Sequence, residues 1–238
     1  MPIERNFIEE NLMLLSDCDN SEDFVAIGIV VNRNGNGSHS GLIICLEEQF
    51  YFFHYTGTDV LIDVLNESDG MPTNLYIKKL TIFESSQVTY VKAFCEILQD
   101  EAQPQYGWVF TDSFYNGDGT YYSEEGLPDI TTCVGFCINV IRGILYNNEA
   151  YISIEDWDDS SFSEYQHDFM DMITQQLARL EEIDPERLAE ITQNTFKRIM
   201  PTELTSSGFF EDLPIRKNSI DPVNPIVVDV ILGRHIAS

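Results

Sequence analysis

Basic residues are scarce in this sequence: 13 Lys and Arg stand against 40 Asp and Glu among 238 residues, a formal net charge of −27 at pH 7. Such an excess of negative charge repels the phosphates of nucleic acids and the surfaces of anionic membranes. The composition therefore argues against nucleic-acid binding. A basic protein partner is compatible with it, and an acidic surface that serves solubility explains the charge equally well.

Cysteine is also rare. The chain has five, an odd number, and they lack the dense spacing of a disulfide framework. This pattern favours free thiols in a reducing compartment. No apolar run is long enough to span a bilayer. Residues 1–6 lack the basic and apolar regions of a secretory signal. The sequence thus predicts a cytoplasmic location, with export by a machine that needs no signal left open, and it predicts no cofactor.

Hydrophobic patterning predicts an α+β fold with an antiparallel sheet. An apolar run at residues 24–31 is typical of a buried strand, and the Gly/Asn/Ser-rich residues 32–40 are typical of a loop. Residues 42–46 and 50–55 form two strands around a tight turn at Glu47-Glu48. The other predicted core elements are strands at 60–65, 75–83 and 151–154, a helix from Ser86, a long loop at 112–128 and a helix at 131–145.

The character of the chain changes after residue 155. The Ser161 to Glu164 segment has the pattern of a capping box, and Asp184-Pro185 supplies an N-cap and a first-turn proline. These signals predict two helices, the second ending near residue 199, and residues 226–232 then resemble a last strand. We therefore expect a core at residues 1–155 and a helical C-terminal extension at residues 156–238, packed on that core.

Three residues carry the chemistry that the sequence predicts. Thr131 and Thr132 can cap the helix that follows, which puts Cys133 in its first turn, where unpaired amides and the helix dipole favour a thiolate. His39 and His54 lie on the two paired strands, which can bring their rings together. A thiol near an imidazole is the minimum equipment of a cysteine nucleophile with a histidine base.

The same segments resemble a known family. His39 with residues 41–43 (Gly-Leu-Ile) and 50–54 (Phe-Tyr-Phe-Phe-His) resembles the histidine-bearing hairpin of the NlpC/P60 papain-like superfamily. Residues 133–136 (Cys-Val-Gly-Phe) resemble the Cys-Ser-Gly-Phe start of its nucleophile helix. The histidines precede the cysteine, an order similar to the circularly permuted branch with YiiX-like hydrolases and lecithin:retinol acyltransferase-like proteins.

The resemblance covers roughly residues 24–155 and implies a papain-like antiparallel sheet packed against the cysteine-bearing helix. It implies Cys133 as nucleophile, His39 as base and His54 as the polar third member. Residues 106–110 resemble the Tyr-Asp-aromatic segment of that branch, which implies that Tyr106 and Trp108 contact the substrate. The implied activity is hydrolysis or acyl transfer at an amide, isopeptide or ester bond of a peptide, protein or lipid-ester substrate, through a thioester. Val134 and Thr132 differ from the residues usual in the family and shape the pocket.

Three alternatives stand beside this interpretation. The PPPDE-type peptidases also place a histidine strand before a cysteine helix, but His54 and the Gly-Phe after the cysteine favour NlpC/P60. Cys133 and Cys137 with the two histidines form a Cys₂His₂ set, although their spacing is not that of a usual zinc motif. A catalytically inactive papain-like binding module, or an acidic inhibitor or immunity protein, is the alternative from a different functional class.

Overall fold

A six-stranded antiparallel sheet forms the centre of the α+β fold, as the sequence predicts. The computed structural model describes residues 3–66, 71–158, 163–180 and 184–237. The strands lie in the order β1-β6-β2-β3-β4-β5. They span Leu12–Leu14 (β1), Phe24–Val31 (β2), Gly37–Leu46 (β3), Gln49–Tyr55 (β4), Val60–Leu65 (β5) and Leu75–Lys79 (β6).

Two helices cover one face of this sheet: α2 (Val88–Glu101), which follows a 3₁₀ turn at Ser85–Gln87, and α3 (Cys133–Ile144). Side chains alternate along a strand, so neighbouring residues of β3 serve opposite faces. Leu42 and Ile44 join the core beneath the helices, and Ile43 and Cys45 join a second apolar cluster on the other face. Both faces of β3 are therefore buried, which explains its almost continuous apolar sequence.

The β3–β4 hairpin turns at the predicted pair. Glu47 and Glu48 both have positive φ, 51° and 63°. Two successive left-handed residues give the turn whose twist matches that of a hairpin. This turn sets the register that pairs Leu42 with Phe53. A one-residue slip would move every side chain to the opposite face, so the turn also determines where His39 and His54 point.

The prediction of a long loop at residues 112–128 is wrong, because this segment contains a hairpin of β8 (Ser113–Tyr115) and β9 (Tyr121–Ser123). Its aromatic residues supply the reason: Tyr115 is fully buried and packs edge-on against Phe136 of α3, with ring centroids 5.6 Å apart. Nearby, β7 (Gln105–Tyr106) pairs in parallel with β10 (Ile130–Thr131), which leads directly into α3.

The C-terminal part is helical. Its helices are α4 (Glu164–Leu180), α5 (Pro185–Thr195), α6 (Pro201–Ser207), α7 (Lys217–Ile220) and α8 (Asn224–Ala237). Asp184 caps α5 as predicted, since its side chain accepts a hydrogen bond from the amide of Glu186. The helix ends earlier than expected, because Phe196 makes a β-bridge with Val109. No helix in the described ranges is long and apolar enough to cross a membrane.

Several predicted elements and boundaries, in the C-terminal part and in the core, were wrong. The strand expected at 226–232 belongs to helix α8, which carries Pro225 in its first turn, where proline is tolerated. The strand at 75–83 ends at Lys79, and the strand at 151–154 is a single bridge of Ile152 to Ile215. The capping box at Ser161 lies partly outside the described residues; within them, Ser163 and Gln166 exchange the corresponding hydrogen bonds.

The C-terminal helices pack directly on the sheet. A Cβ atom added at Gly37 of β3 would lie 3.2 Å from Thr202 of α6, and one at Gly208 would lie 2.9 Å from Lys78 of β6. Helix α8 joins Ile8 of α1 (Arg5–Asn11) in a third apolar cluster. The chain after residue 155 therefore completes the core around the sheet rather than extending away from it.

Candidate active site

The two hairpin histidines are hydrogen-bonded to each other. His39 Nε2 and His54 Nδ1 are 2.8 Å apart. Residues 39 and 41 of β3 and residues 52 and 54 of β4 share one face of the hairpin, because side chains of a strand alternate. The loop predicted at 32–40 is shorter than expected, since β3 begins at Gly37 and already includes His39. Each of the two histidines therefore lies in a strand rather than in a loop.

Asp63 of β5 completes this chain of polar groups. Its Oδ2 atom lies 3.0 Å from His54 Nε2. The pair is diagonal across the β4–β5 ladder, which joins Phe52 to Asp63 and His54 to Leu61, and diagonal neighbours on one face are within reach of long side chains. Sequence reasoning missed Asp63. Its signal was a single acidic residue inside the apolar run of β5.

The order of the contacts sets the tautomer of each ring when both rings are neutral. An ionised carboxylate only accepts hydrogen bonds, so His54 Nε2–H donates to Asp63. The Nδ1 atom of His54 is then an acceptor, and His39 Nε2–H donates to it. His39 Nδ1 is left with a free lone pair, the state that a general base requires. We assign these protons from the network.

Phe52 supports both rings. It stacks on His54, with ring centroids 4.4 Å apart and planes at 12°, and meets His39 edge-on at 6.1 Å. Gly41 leaves the space that this packing needs. A Cβ atom on Gly41 would lie 2.4 Å from Phe52 Cε2, 2.7 Å from the carbonyl oxygen of Phe53 and 2.8 Å from His54 Cβ.

Replacing Gly41 by alanine is expected to destabilise the fold by about 1–3 kcal/mol, the usual cost of overpacking. The added methyl group meets backbone as well as side chain, so the hairpin has to separate. Urea denaturation measures the loss. Gly117→Ala is the matched control, because a Cβ atom there meets nothing within 4 Å. Equal stability of the two variants would contradict this account of Gly41.

Cys133 is the first residue of α3, as predicted. Thr132 is the N-cap, and its hydroxyl accepts a hydrogen bond from the amide of Gly135 at 3.2 Å. The backbone amides of Ser40, Val134 and Cys133 itself act on the thiol by lowering its pKa. Ser40 follows His39 in β3, so the start of α3 lies near the end of the hairpin. Because neighbouring residues of a strand serve opposite faces, Ser40 is on the face of α3 and the His39 ring is on the other face.

Burial keeps both groups neutral at rest. It raises the pKa of the Cys133 thiol, although the three amides act in the opposite direction. Burial also lowers the pKa of His39 to about 4, and the neighbouring His54 adds to this shift. In the described part of the chain, no direct hydrogen bond joins the thiol to the His39 ring. The two groups lie on opposite faces of the sheet: the His39 ring packs on Phe52, which belongs to the apolar cluster away from the helices, and Cys133 packs against the core beneath the helices.

Tyr106 and Trp108 lie on the same side as Cys133. Tyr106 is 39% exposed, and burial raises the pKa of its hydroxyl with a further contribution from Cys133 nearby. Its ring meets Trp108 edge-on at 5.6 Å and Phe169 of α4 at 6.2 Å. The C-terminal part thus supplies one ring of an aromatic wall beside the candidate nucleophile.

Cys137 and Cys95 are core residues, buried beneath the sheet as the sequence predicts. Burial raises the pKa of both thiols. Among the described residues, no group of three or more His, Cys, Asp and Glu side chains is arranged to hold a metal ion. The Cys₂His₂ alternative therefore has no geometric support. A cavity of about 380 Å³ lined in part by Phe110, Arg142 and Lys197 does not include Cys133.

Comparisons of the chain with protein-family models, curated proteins and solved structures found no match. The fold and the site thus define the chain as an α+β protein with a cysteine at a helix start on one face of its sheet and a His-His-Asp chain on the other.

Proposed function

We propose that this protein is a cysteine hydrolase or acyltransferase of the circularly permuted NlpC/P60 papain-like type, acting on an amide, isopeptide or ester bond. The observation that carries the proposal is the polar chain from Asp63 through His54 to His39. It leaves a lone pair on His39 Nδ1 free to accept a proton, and the amide of the next residue, Ser40, lies near the Cys133 thiol on the other face of β3. Tyr106 and Trp108 would contact the substrate.

The reaction follows from these positions. The step requires the His39 ring, which lies on the opposite face of β3, to reach the thiol. His39 Nδ1 then takes the proton from Cys133 Sγ as the sulfur attacks the substrate carbonyl, and the carbonyl electron pair moves onto oxygen. The amide of Cys133 at the helix start stabilises this oxyanion. The intermediate expels the amine or alcohol, which takes the proton from His39. Water, deprotonated by His39, then hydrolyses the thioester and releases the acid.

The neutral resting state determines how the base works. Since the pKa of His39 is lowered to about 4, its imidazole is unprotonated at neutral pH and ready to accept a proton. The raised pKa of Cys133 means that the thiol loses its proton during attack rather than before it. Acylation should therefore fall on acidification only as His39 protonates near pH 4.

A second candidate is a catalytically inactive papain-like module that binds a basic protein. Two observations favour it: burial disfavours the thiolate of Cys133, and the net charge of −27 suits a basic partner. An inactive module would keep the fold and the aromatic wall without a reactive thiol. The reactivity of Cys133 therefore distinguishes the two.

The test uses p-nitrophenyl acetate, which reports acyl transfer to any competent thiol. We expect a burst of nitrophenolate of about one equivalent at pH 7, because a covalent intermediate accumulates before deacylation. Peptide mass spectrometry should find the acetyl group on Cys133. Cys18, the other cysteine that is only partly buried, is the internal reference. A burst that is absent, or an acetyl group on Cys18 instead, would rule out the catalytic proposal.

A further inference from the structure

The hydroxyl of Ser40 takes no part in the hydrogen bonds of the fold. It is fully buried, and its hydroxyl has no hydrogen-bond partner. Most buried hydroxyls are paired, and an unpaired one disfavours the folded state. In β3 the alternation of side chains puts Ser40 on the same face as Leu42 and Ile44, the face that packs under α3. Its hydroxyl thus faces the side of the sheet where Cys133 lies.

The backbone of Ser40 already acts on the candidate nucleophile. The β3–β4 ladder begins at Leu42, so its bonds do not reach Ser40. The amide of Ser40 lies near the Cys133 sulfur instead and lowers the pKa of that thiol. Ser40 therefore combines a buried, unpaired hydroxyl with an amide that lowers the pKa of the Cys133 thiol.

We propose that the Ser40 hydroxyl is an additional hydrogen-bond donor to the Cys133 thiolate as it forms. The inference rests on the proposed function, since only a reacting thiol needs a second donor. A neutral thiol is a weak acceptor, and a thiolate is a strong one, because hydrogen bonds to charged groups are about twice as strong as neutral ones. In the resting structure the hydroxyl has no partner, the sulfur included, so pairing with the thiolate requires the Ser40 side chain to change its χ1 rotamer as charge develops.

With this role, replacing Ser40 should lower the reactivity of Cys133 without lowering the stability of the fold. A hydroxyl that only fills space would leave the thiol unchanged when removed. A donor to the thiolate would, when removed, raise the pKa of Cys133, while the fold loses no hydrogen bond that it had. Ser40→Ala is therefore expected to be at least as stable as the wild type and less reactive.

The experiment is the pH profile of Cys133 alkylation by iodoacetamide, followed by mass spectrometry of the peptide that carries it. We expect Ser40→Ala to raise the apparent pKa of Cys133 by about one unit, which slows alkylation about tenfold at every pH well below that pKa. The limiting rate at high pH should stay within twofold. Thermal unfolding checks that the variant folds.

Ser38→Ala is the matched control. Ser38 lies on the other side of His39, is exposed, and donates to the carbonyl of Val30; we expect its removal to leave the profile unchanged. Superimposed profiles of Ser40→Ala and the wild type would overturn the inference, whatever the absolute rate. If those profiles coincide while Cys133 still forms the acyl-enzyme, only the role of Ser40 fails. If Cys133 forms no acyl-enzyme at all, the proposed function fails.

Discussion

His39→Ala is expected to slow the acylation of Cys133 by p-nitrophenyl acetate about 10²- to 10⁴-fold at pH 7, the usual contribution of a general base. The reason is the neutral resting thiol: burial raises the pKa of Cys133, so little thiolate forms without a base to take the proton. Stopped-flow measurement of the nitrophenolate burst gives the rate. The loss should shrink as the pH rises, because hydroxide then ionises the thiol directly.

Three further variants calibrate this result. Cys133→Ala gives the background rate without acyl-enzyme formation, since it removes the sulfur that holds the acyl group. His54→Ala should fall between the wild type and His39→Ala, because an orienting group contributes less than the base itself. His235→Ala, on α8 beside the carbonyl of Arg33, should leave the rate unchanged. A His39→Ala enzyme that acylates at the wild-type rate would show that the thiol reacts without the hairpin.

The histidine hairpin could be predicted from sequence because its determinants are local. Two strands that flank a two-residue turn have one register that buries both apolar faces, and Glu47 and Glu48 adopt the conformation that this turn requires. The register alone then brings His39 and His54 to the same face. The start of α3 was equally local, since the Thr132 cap and the apolar run after it fix the helix.

Asp63 and Ser40 could not be predicted, because each acquires its role through pairing with a distant strand or helix. Asp63 is an ordinary exposed acidic residue until β5 pairs with β4 and puts it diagonal to His54. Ser40 is an ordinary small residue until α3 brings Cys133 to its amide. No pattern inside either segment encodes these contacts.

The errors have the same origin. The run at residues 226–232 is apolar enough for a buried strand or a buried helix, and short apolar runs do not separate the two. The helix forms because Val227, Val230 and Ile231 lie on one side and pack with Ile8 and Ile29. Packing between distant elements, rather than local preference, determines this element.

Asp129→Asn is expected to be more stable than the wild type, by a margin that grows as the pH rises. Asp129 accepts a hydrogen bond from the Tyr115 hydroxyl at 2.7 Å through Oδ2, while its buried Oδ1 has no partner. Burial raises the pKa of this carboxyl from 3.8 to about 7. Below pH 3.8 both the folded and the unfolded states bind the proton, and ionisation costs no stability. Above pH 7 the folded state holds a buried charge, and the three-unit difference corresponds to about 4 kcal/mol.

The advantage of Asp129→Asn over the wild type should therefore grow by about 3–4 kcal/mol between pH 4 and pH 8, as measured by urea denaturation at each pH. Asparagine carries no charge, so its own curve lacks this loss. Tyr115→Phe provides the opposing variant: the Tyr115 hydroxyl lowers the pKa of Asp129, so its removal should raise that pKa and steepen the loss of stability at high pH. If the free energies of unfolding of Asp129→Asn and the wild type changed in parallel with pH, the Asp129 carboxyl would have to reach solvent. A protein stabilised by acid in this way would carry its pH sensitivity four residues before the candidate nucleophile, directly before strand β10, which leads into α3.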